Sequence, residues 1–396
     1  MMSFLGYPRP DGSCGVRNYV LVLPGGIVAE RICSLVRGTR TLATPVSGSG
    51  YTKRDRESLA RMLVGLGRNP NVAAVIVHNT SYGAGYPELK PELLVDQIAE
   101  SKKPVELIDV SKEGGTLGCI QKGIDVARQM VHTASKLRRE PCDDGHLSLG
   151  VKCGSSDTTS GIAGNPAVGY LFDKLVAAGG TVFFGENTEI IGAEHVLASR
   201  AANKKVAEAI LRVARETEER AKATGNDIRT VNPVPGNIAG GITTLEEKSL
   251  GAIHKAGSTP VQGVLEYAER PSGKGLYFVD NWMSSLSIFS GYAAAGAQLV
   301  IFQLGGMNIP KGTILSSTDG IAAPLLWATG NPVTYSNVGN SIDYYSGTLI
   351  EGTETLEQAG ERFYDIVLDI ASGTMTRVET VNYSDPIQPY VKDPVF

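Results

Sequence analysis

Short apolar runs alternate with segments of helical period through the first 140 residues, and this alternation limits the fold more than any other feature of the chain. Tyr19–Leu23, Thr41–Val46, Val72–Val77 and Val105–Val110 read as strands, and Val28–Val36, Arg54–Leu66, Leu94–Ser101 and Leu117–Arg138 read as helices. Such a pattern predicts a parallel sheet with helices on both faces. Ligands of such sheets sit at the carboxyl ends of the strands. Here those ends read Pro24-Gly25-Gly26, Ser47-Gly48-Ser49-Gly50 and His78-Asn79-Thr80-Ser81.

The polar stretch Glu140–Gly145 reads as a linker, and a second α/β region follows. Its strands are Leu147–Val151, Val182–Phe184, Leu276–Val279 and Leu299–Phe302; its helices are Leu171–Ala178, Glu194 to about Thr224, and Leu356–Ser372. The expected fold is therefore α/β and Rossmann-like, with two regions of mostly parallel sheet, at 1–140 and 146–396. A chain of 396 residues has the length for two domains. Its 42% hydrophobic and 20% charged content excludes wholesale disorder.

A net charge of −4, without a Lys/Arg-rich run, argues against a nucleic-acid partner. No stretch approaches the roughly 18 apolar residues of a membrane span. The opening MMSFLGYPRPDG lacks the basic and apolar regions of a signal peptide. Five cysteines (Cys14, Cys33, Cys119, Cys142, Cys153), odd in number and without a CxxC pair, suggest neither a disulfide scaffold nor a zinc ribbon. A reduced cytoplasmic protein is expected.

Four clusters carry chemistry-bearing residues. The first is Lys152-Cys153-Gly154-Ser155-Ser156-Asp157, continuing to Gly164-Asn165-Pro166, between a strand and a helix. Its hydroxyls and free N–H groups can cradle a carboxylate or phosphate at a helix start, although turn chemistry explains much of the same pattern. Cys153 reads as a nucleophile, a soft metal ligand or a packed thiol. The second is Gly185-Glu186-Asn187-Thr188-Glu189, followed by Gly192-Ala193-Glu194-His195. Three carboxylates and a histidine within ten residues can bind a divalent metal or supply an acid and a base. Glu194 and His195 also suit the first turn of the next helix. Nothing structural requires both Glu186 and Glu189.

The third cluster, Pro235-Gly236-Asn237-Ile238-Ala239-Gly240-Gly241-Ile242-Thr243-Thr244, ends in a good helix cap with Glu246 and Glu247 behind it. Lys248 and Lys255 follow, seven apart and near one helical face, either solvated or pointing inward as a base or carboxylate binder. In the fourth, Gly6-Tyr7-Pro8-Arg9-Pro10-Asp11-Gly12 and then Cys14-Gly15-Val16-Arg17-Asn18, Arg17 either pairs with a substrate carboxylate or ties down the N-terminus. There is no GxGxxG at Pro24-Gly25-Gly26 and no GxxxxGK[ST] anywhere, so NAD and a Walker A phosphate site are rejected.

On these motifs the chain resembles the altronate/galactarate dehydratase (UxaA) family. The resemblance runs from GYPRPDG and GVRN through KCGSSDTTSGIAGNP, ENTEIIGAEH and PGNIAGGITTLEEKSLGAIHKAG to the Leu356 helix. It implies dehydration of a sugar acid with iron or another divalent metal. A relative of that family, the sulfolactate sulfo-lyase large subunit, eliminates sulfite. Many members carry a small SAF domain, in some as a separate subunit, so a separate small subunit is implied for a chain that starts at GYPRPDG. The family also places cysteines at the ends of the first strands, and the three strand ends named above have none; of that set Cys153 is kept. An expected Asp-Thr-Pro-Gly reads Asp280-Asn281-Trp282-Met283, and an expected TTGRG reads Gln303-Leu304-Gly305-Gly306-Met307.

The expected function is elimination of water from a sugar acid or related 2-hydroxy acid. The alternatives are a sulfo-lyase or other C–X lyase, and a non-catalytic ligand-binding homologue. Elimination needs a base for the proton beside the carboxylate, an acid for the leaving group, and a charge stabiliser. Glu186, Glu189, His195 and Lys255 are the expected catalytic residues. Arg17, Ser155, Ser156, Asp157, Asn165, Asn237 and Thr243 are expected to bind substrate, and Cys153, Glu186, Glu194 and His195 to hold a metal. The expected partners are a small hydroxy acid, further copies of the chain in a homo-oligomer, and the small subunit.

Overall fold

A computed structural model describes residues 3–43, 47–79, 85–306, 309–313, 320–384 and 387–396. Thr44, Pro45 and Val46 of one expected strand, Thr80 and Ser81 of one expected loop, and Met307 lie outside them. Strands are numbered along the chain. The first sheet is antiparallel: β1 (Ser3–Pro8) pairs with β2 (Cys14–Gly15) on one side and with β7 (Glu140–Asp143) on the other. The expected linker is thus a strand laid against the N-terminus. Cys14 and Cys142 form a disulfide across β1, which corrects the reading of five reduced thiols; Cys33, Cys119 and Cys153 are free. Both sulfurs crowd β1 at Gly6, where a Cβ would lie 2.4 Å from Cys14 Sγ.

The second sheet contains β3 (Tyr19–Leu23), β4 (Thr39–Thr41), β5 (Val72–His78) and β6 (Val105–Ile108), all parallel, in the order β4-β3-β5-β6. Helices Ile27–Leu35, Lys53–Arg68, Pro91–Ala99 and Thr116–Ala134 connect and flank them. The third sheet contains β8 (Ser148–Gly154), β9 (Thr181–Gly185), β10 (Val261–Leu265), β11 (Gly275–Val279), β12 (Leu299–Leu304), β13 (Leu325–Thr329) and β14 (Tyr344–Tyr345). All seven run parallel in the order β10-β11-β9-β8-β12-β13-β14. The chain is therefore mixed α/β with two parallel sheets, as expected.

Three parts of the third sheet's layer lack a readable sequence signal. Val261–Leu265 is interrupted by Gly263, and Leu325–Thr329 is only five residues long. Helix Ser285–Ala295 is buried along almost its whole length, so it has no amphipathic period. That helix packs on Lys53–Arg68 so closely that a Cβ on Gly65 would lie 2.4 Å from Ala294 O. The joint merges the two parallel sheets into one core, in which Leu63 and Val77 share a cluster with Ala294, Phe302 and Trp327.

Buried polar groups fasten the same joint. Asn69 Nδ2 donates to Ala293 O and Ala297 O, and Asn71 Nδ2 donates to Gln298 O and Ala322 O. The C-terminal segment returns to the first region, where Asp55 accepts the N–H groups of Lys392 and Asp393. The long helix expected from Glu194 breaks into Glu194–Ala198 and Lys204–Ala223, because Asn203 caps the second helix at Val206 N and Ala202 N pairs with Val261 O. Among the described residues no helix is long and apolar enough to cross a membrane.

Candidate active site

The seven-stranded sheet fixes the site. Parallel strands β8 and β9 are neighbours, so Cys153 near the end of one and Glu186 just past the end of the other meet. Glu186 has a left-handed backbone (φ 80°), which turns its carboxylate back towards β8. A short turn at Asn187–Glu189 brings Glu189 to the same place.

The contacts are tight and dry. Glu186 Oε2 accepts from Cys153 N at 3.1 Å, and its Oε1 lies 3.4 Å from Cys153 Sγ. Cys153 Sγ donates to Glu189 Oε1 at 2.6 Å. Lys255 Nζ spans both carboxylates, 2.6 Å from Glu186 Oε2 and 2.8 Å from Glu189 Oε2. Two further ammonium groups stand slightly back: Lys152 Nζ is 3.6 Å from Glu186 Oε1, and Lys248 Nζ is 3.5 Å from Glu189 Oε1. Glu186, Glu189 and Lys255 are at most 1% exposed.

This burial sets the charge states. Burial, reinforced by the two carboxylates, pushes the Cys153 thiol up to about 12. Burial alone would raise Glu189, but Lys255 and Lys248 outweigh it and hold its carboxyl well below the usual range. Lys255 is likewise raised well above an ordinary lysine, because Glu186 and Glu189 outweigh its desolvation. In this arrangement Lys255 is an ammonium that aligns two carboxylates.

Two carboxylates face three ammonium groups here, which leaves one positive charge in excess. Unmet polar atoms lie on the surrounding segments. Among the described residues, Asn165 Oδ1 is buried without a partner while its Nδ2 donates to Gly251 O, and Asn232 Nδ2, Ser249 Oγ and Gln303 Oε1 also find none. Asn232 Oδ1 accepts from Lys248 at 2.8 Å, and Gln303 pairs in register with Cys153. Cys153, Glu186 and Glu189 each offer one ligand atom, and these atoms lie within 4.8 Å of one another. A thiol with two carboxylates is a donor set that fits a divalent transition metal, with Lys255 on the outer carboxylate oxygens and Lys152 and Lys248 farther off on the inner ones.

The other expected site residues are placed as follows. Asn237 joins the wall, its Nδ2 donating to Ser156 O at 2.7 Å and its Oδ1 lying 3.5 Å from Lys248 Nζ. Ser155 is exposed, with φ 45°. Asp157 is taken up by Thr159 and Ser160 of its own loop and by Asn331 Nδ2, from all of which it accepts. Thr243 is exposed and spends its hydroxyl on Glu247. Arg17 does not reach the site: it is buried on Glu379 at 2.7 Å and on three backbone carbonyls, so it ties the N-terminal region to the C-terminal one. Glu194 folds onto Gly192 N, and His195 is exposed; neither joins the metal-competent group. Both are where a helix start would put them. Lys152, named in the first cluster without a role, also reaches the site; the available signal is a lysine within the largely apolar run Ser148–Gly154.

Two family models match the chain. One, described as D-galactarate/altronate dehydratase, C-terminal, covers residues 145–392. The other, described as D-galactarate dehydratase/altronate hydrolase, second domain, covers residues 6–135. The chain is 36% identical over 389 residues to the (2R)-sulfolactate sulfo-lyase subunit beta of Chromohalobacter salexigens, covering 97% of this chain and 96% of that one. It is 30% identical over 396 residues to an altronate dehydratase of Bacillus subtilis, covering 97% of this chain and 76% of the relative. It is 31% identical over 320 residues to the L-threo-forming galactarate dehydratase of Escherichia coli, covering 79% of this chain and 59% of the relative.

Proposed function

This chain belongs to the D-galactarate/altronate dehydratase family, and we propose on that premise that it is a lyase eliminating water from a sugar acid or related 2-hydroxy acid. The observation that carries the reading is the buried Cys153–Glu186–Glu189–Lys255 cluster with Lys152 and Lys248 beside it. A desolvated site with an excess of ammonium groups takes an anion, and a hydroxy-acid carboxylate supplies one.

Lys152 and Lys248, the two looser cations, receive the substrate carboxylate and neutralise the charge that grows on it as the neighbouring proton leaves. Glu186 takes that proton, held in place by Cys153 N and Lys255. Lys255 and Glu189 keep the two carboxylates in register. Asn165, Asn232 and Asn237 line the polar wall that orients the substrate hydroxyls. Cys153, Glu186 and Glu189 would hold a divalent ion, with iron the first candidate; when bound it supplies Lewis acidity towards the substrate's oxygen atoms. A separate small subunit completes the proposal, in keeping with a relative named a subunit beta.

A second reading, with sulfite as the leaving group, is supported by the 36% identity to the sulfo-lyase subunit over almost its entire length. Product analysis separates the two: anaerobic incubation with a panel of sugar acids and sulfolactate yields a 2-keto-3-deoxy acid in the first case, and pyruvate with sulfite in the second. Full turnover by Glu186→Gln would remove the proposed base. Absence of turnover on the whole panel, with iron and a small subunit supplied, would favour a ligand-binding role.

A further inference from the structure

A cavity of about 590 Å³ opens at the amino ends of β5 and β6, in the other parallel sheet and at the opposite strand ends from the cluster's position in its own sheet. Helix Thr116–Ala134 and the turn after β1 close it. Its walls are largely apolar, including Val126, Met130 and Leu137, and three cations line it: Arg9, Lys103 and Lys122.

Two of those cations are buried without a direct ion pair among the described residues, and Asp11 acts on them only through space. Arg9 is 6% exposed and donates to Pro70 O, Asn18 Oδ1 and Arg17 O. Lys103 is 5% exposed and donates to Asn69 O at 2.5 Å and Gly67 O at 3.4 Å. All five acceptors are neutral, and among the described residues neither cation pairs with a carboxylate. The end of helix Lys53–Arg68 offers Lys103 only partial negative charge. Burial, with the like charge of Arg9 added, pushes Lys103 well below an ordinary lysine, and burial brings Arg9 down to about 10. Arg68 and Arg270 add further positive charge near Lys103. The acids answer it only in part: Asp11 acts through space while its carboxylate is hydrogen-bonded to Ser13, and Glu106 stands at an exposed position on the cavity wall. Two like charges in one dry place are costly unless an anion joins them.

We propose that this cavity binds a small carboxylic acid with an apolar body, its carboxylate on Lys103 and Arg9 and its body against Val126, Met130 and Leu137. The volume is in the range of small-molecule sites, which pair apolar walls with a few placed charges. The proposal does not depend on the lyase reading, because it uses none of the residues of the Cys153 cluster.

The test is calorimetric titration of the full chain with 4-phenylbutyrate, with 4-phenylbutanol as the uncharged control. The acid should bind once per chain with a Kd below roughly 1 mM, and the alcohol at least about tenfold more weakly. Lys103→Met should weaken the acid by at least about tenfold. Thr133 lines the cavity at an exposed position, so Thr133→Trp should block binding while leaving the melting temperature unchanged. If Lys103→Met does not fold, Thr133→Trp decides the matter alone. No saturable binding of the acid up to roughly 10 mM, equal binding of the alcohol, or full binding by Thr133→Trp overturns the proposal.

Discussion

Lys255 and Glu186 face each other at 2.6 Å, and neither side chain is more than 1% exposed. A pair so deeply buried is costly to break, because the surviving partner keeps its charge without water or counter-ion. Lys255→Met, which leaves both Glu186 and Glu189 short of their common cation, should lower unfolding free energy by about 3–5 kcal/mol. Urea denaturation of the two proteins measures this directly, and an unchanged midpoint would mean that water reaches the carboxylates.

Glu186→Gln is nearly isosteric and keeps an acceptor for Cys153 N. It should fold, give a wild-type circular dichroism spectrum, and lose turnover by at least about 100-fold, the usual contribution of a general base. Initial rates with the best acid of the substrate panel provide the check.

Metal content separates the inner carboxylates from the outer ones. Protein prepared anaerobically and reconstituted with iron should retain about one divalent ion per chain, measured by inductively coupled plasma mass spectrometry. Glu189→Gln should lose most of it, with affinity reduced by at least about tenfold, and His195→Ala should keep it. Equal retention by both variants would place the ion elsewhere.

The Arg17–Glu379 pair gives stability a definite pH dependence. Burial acts to raise Glu379, but Arg17 outweighs it and the folded-state value lies below the ordinary one. Its contribution is therefore complete above the unfolded value of about 4.3 and is lost as pH falls through the folded value. Glu379→Gln should cost about 3–5 kcal/mol at pH 7, since it leaves Arg17 buried and unpaired, and the difference from wild type should shrink as the pH is taken below 4. Urea midpoints over that pH range test the sign; a difference that grows on acidification would contradict it.

The disulfide predicts a thiol count. Denatured, unreduced protein should titrate three of its five cysteines, and all five after reduction. Titration of five without reductant would mean that Cys14 and Cys142 are held as thiols, the state a cytoplasmic setting favours.

The sequence alone determined the α/β class, both parallel sheets and most of the elements, because apolar periodicity and Gly- or Pro-marked turns are local signals. It also named Cys153, Glu186 and Glu189 at strand ends crowded with chemistry-bearing residues, and Asn237, Lys248 and Lys255 in a Gly-rich loop and the helix behind it, with the two lysines left either solvated or pointing inward. It had no means of separating Glu189 from Glu194, five residues apart; the short turn at Asn187–Glu189 carries the first inward, and the following helix start leaves the second on its own turn. Arg17 shows the same limit, because its partner Glu379 lies 362 residues away and only the returning C-terminal segment brings the two together. The burial that leaves Lys103 and Arg9 on neutral hydrogen-bond acceptors, and that sets Lys255 between two carboxylates, was also decided by tertiary structure alone. Chain order encodes local preference, while charge states in a dry interior depend on groups brought together from distant segments.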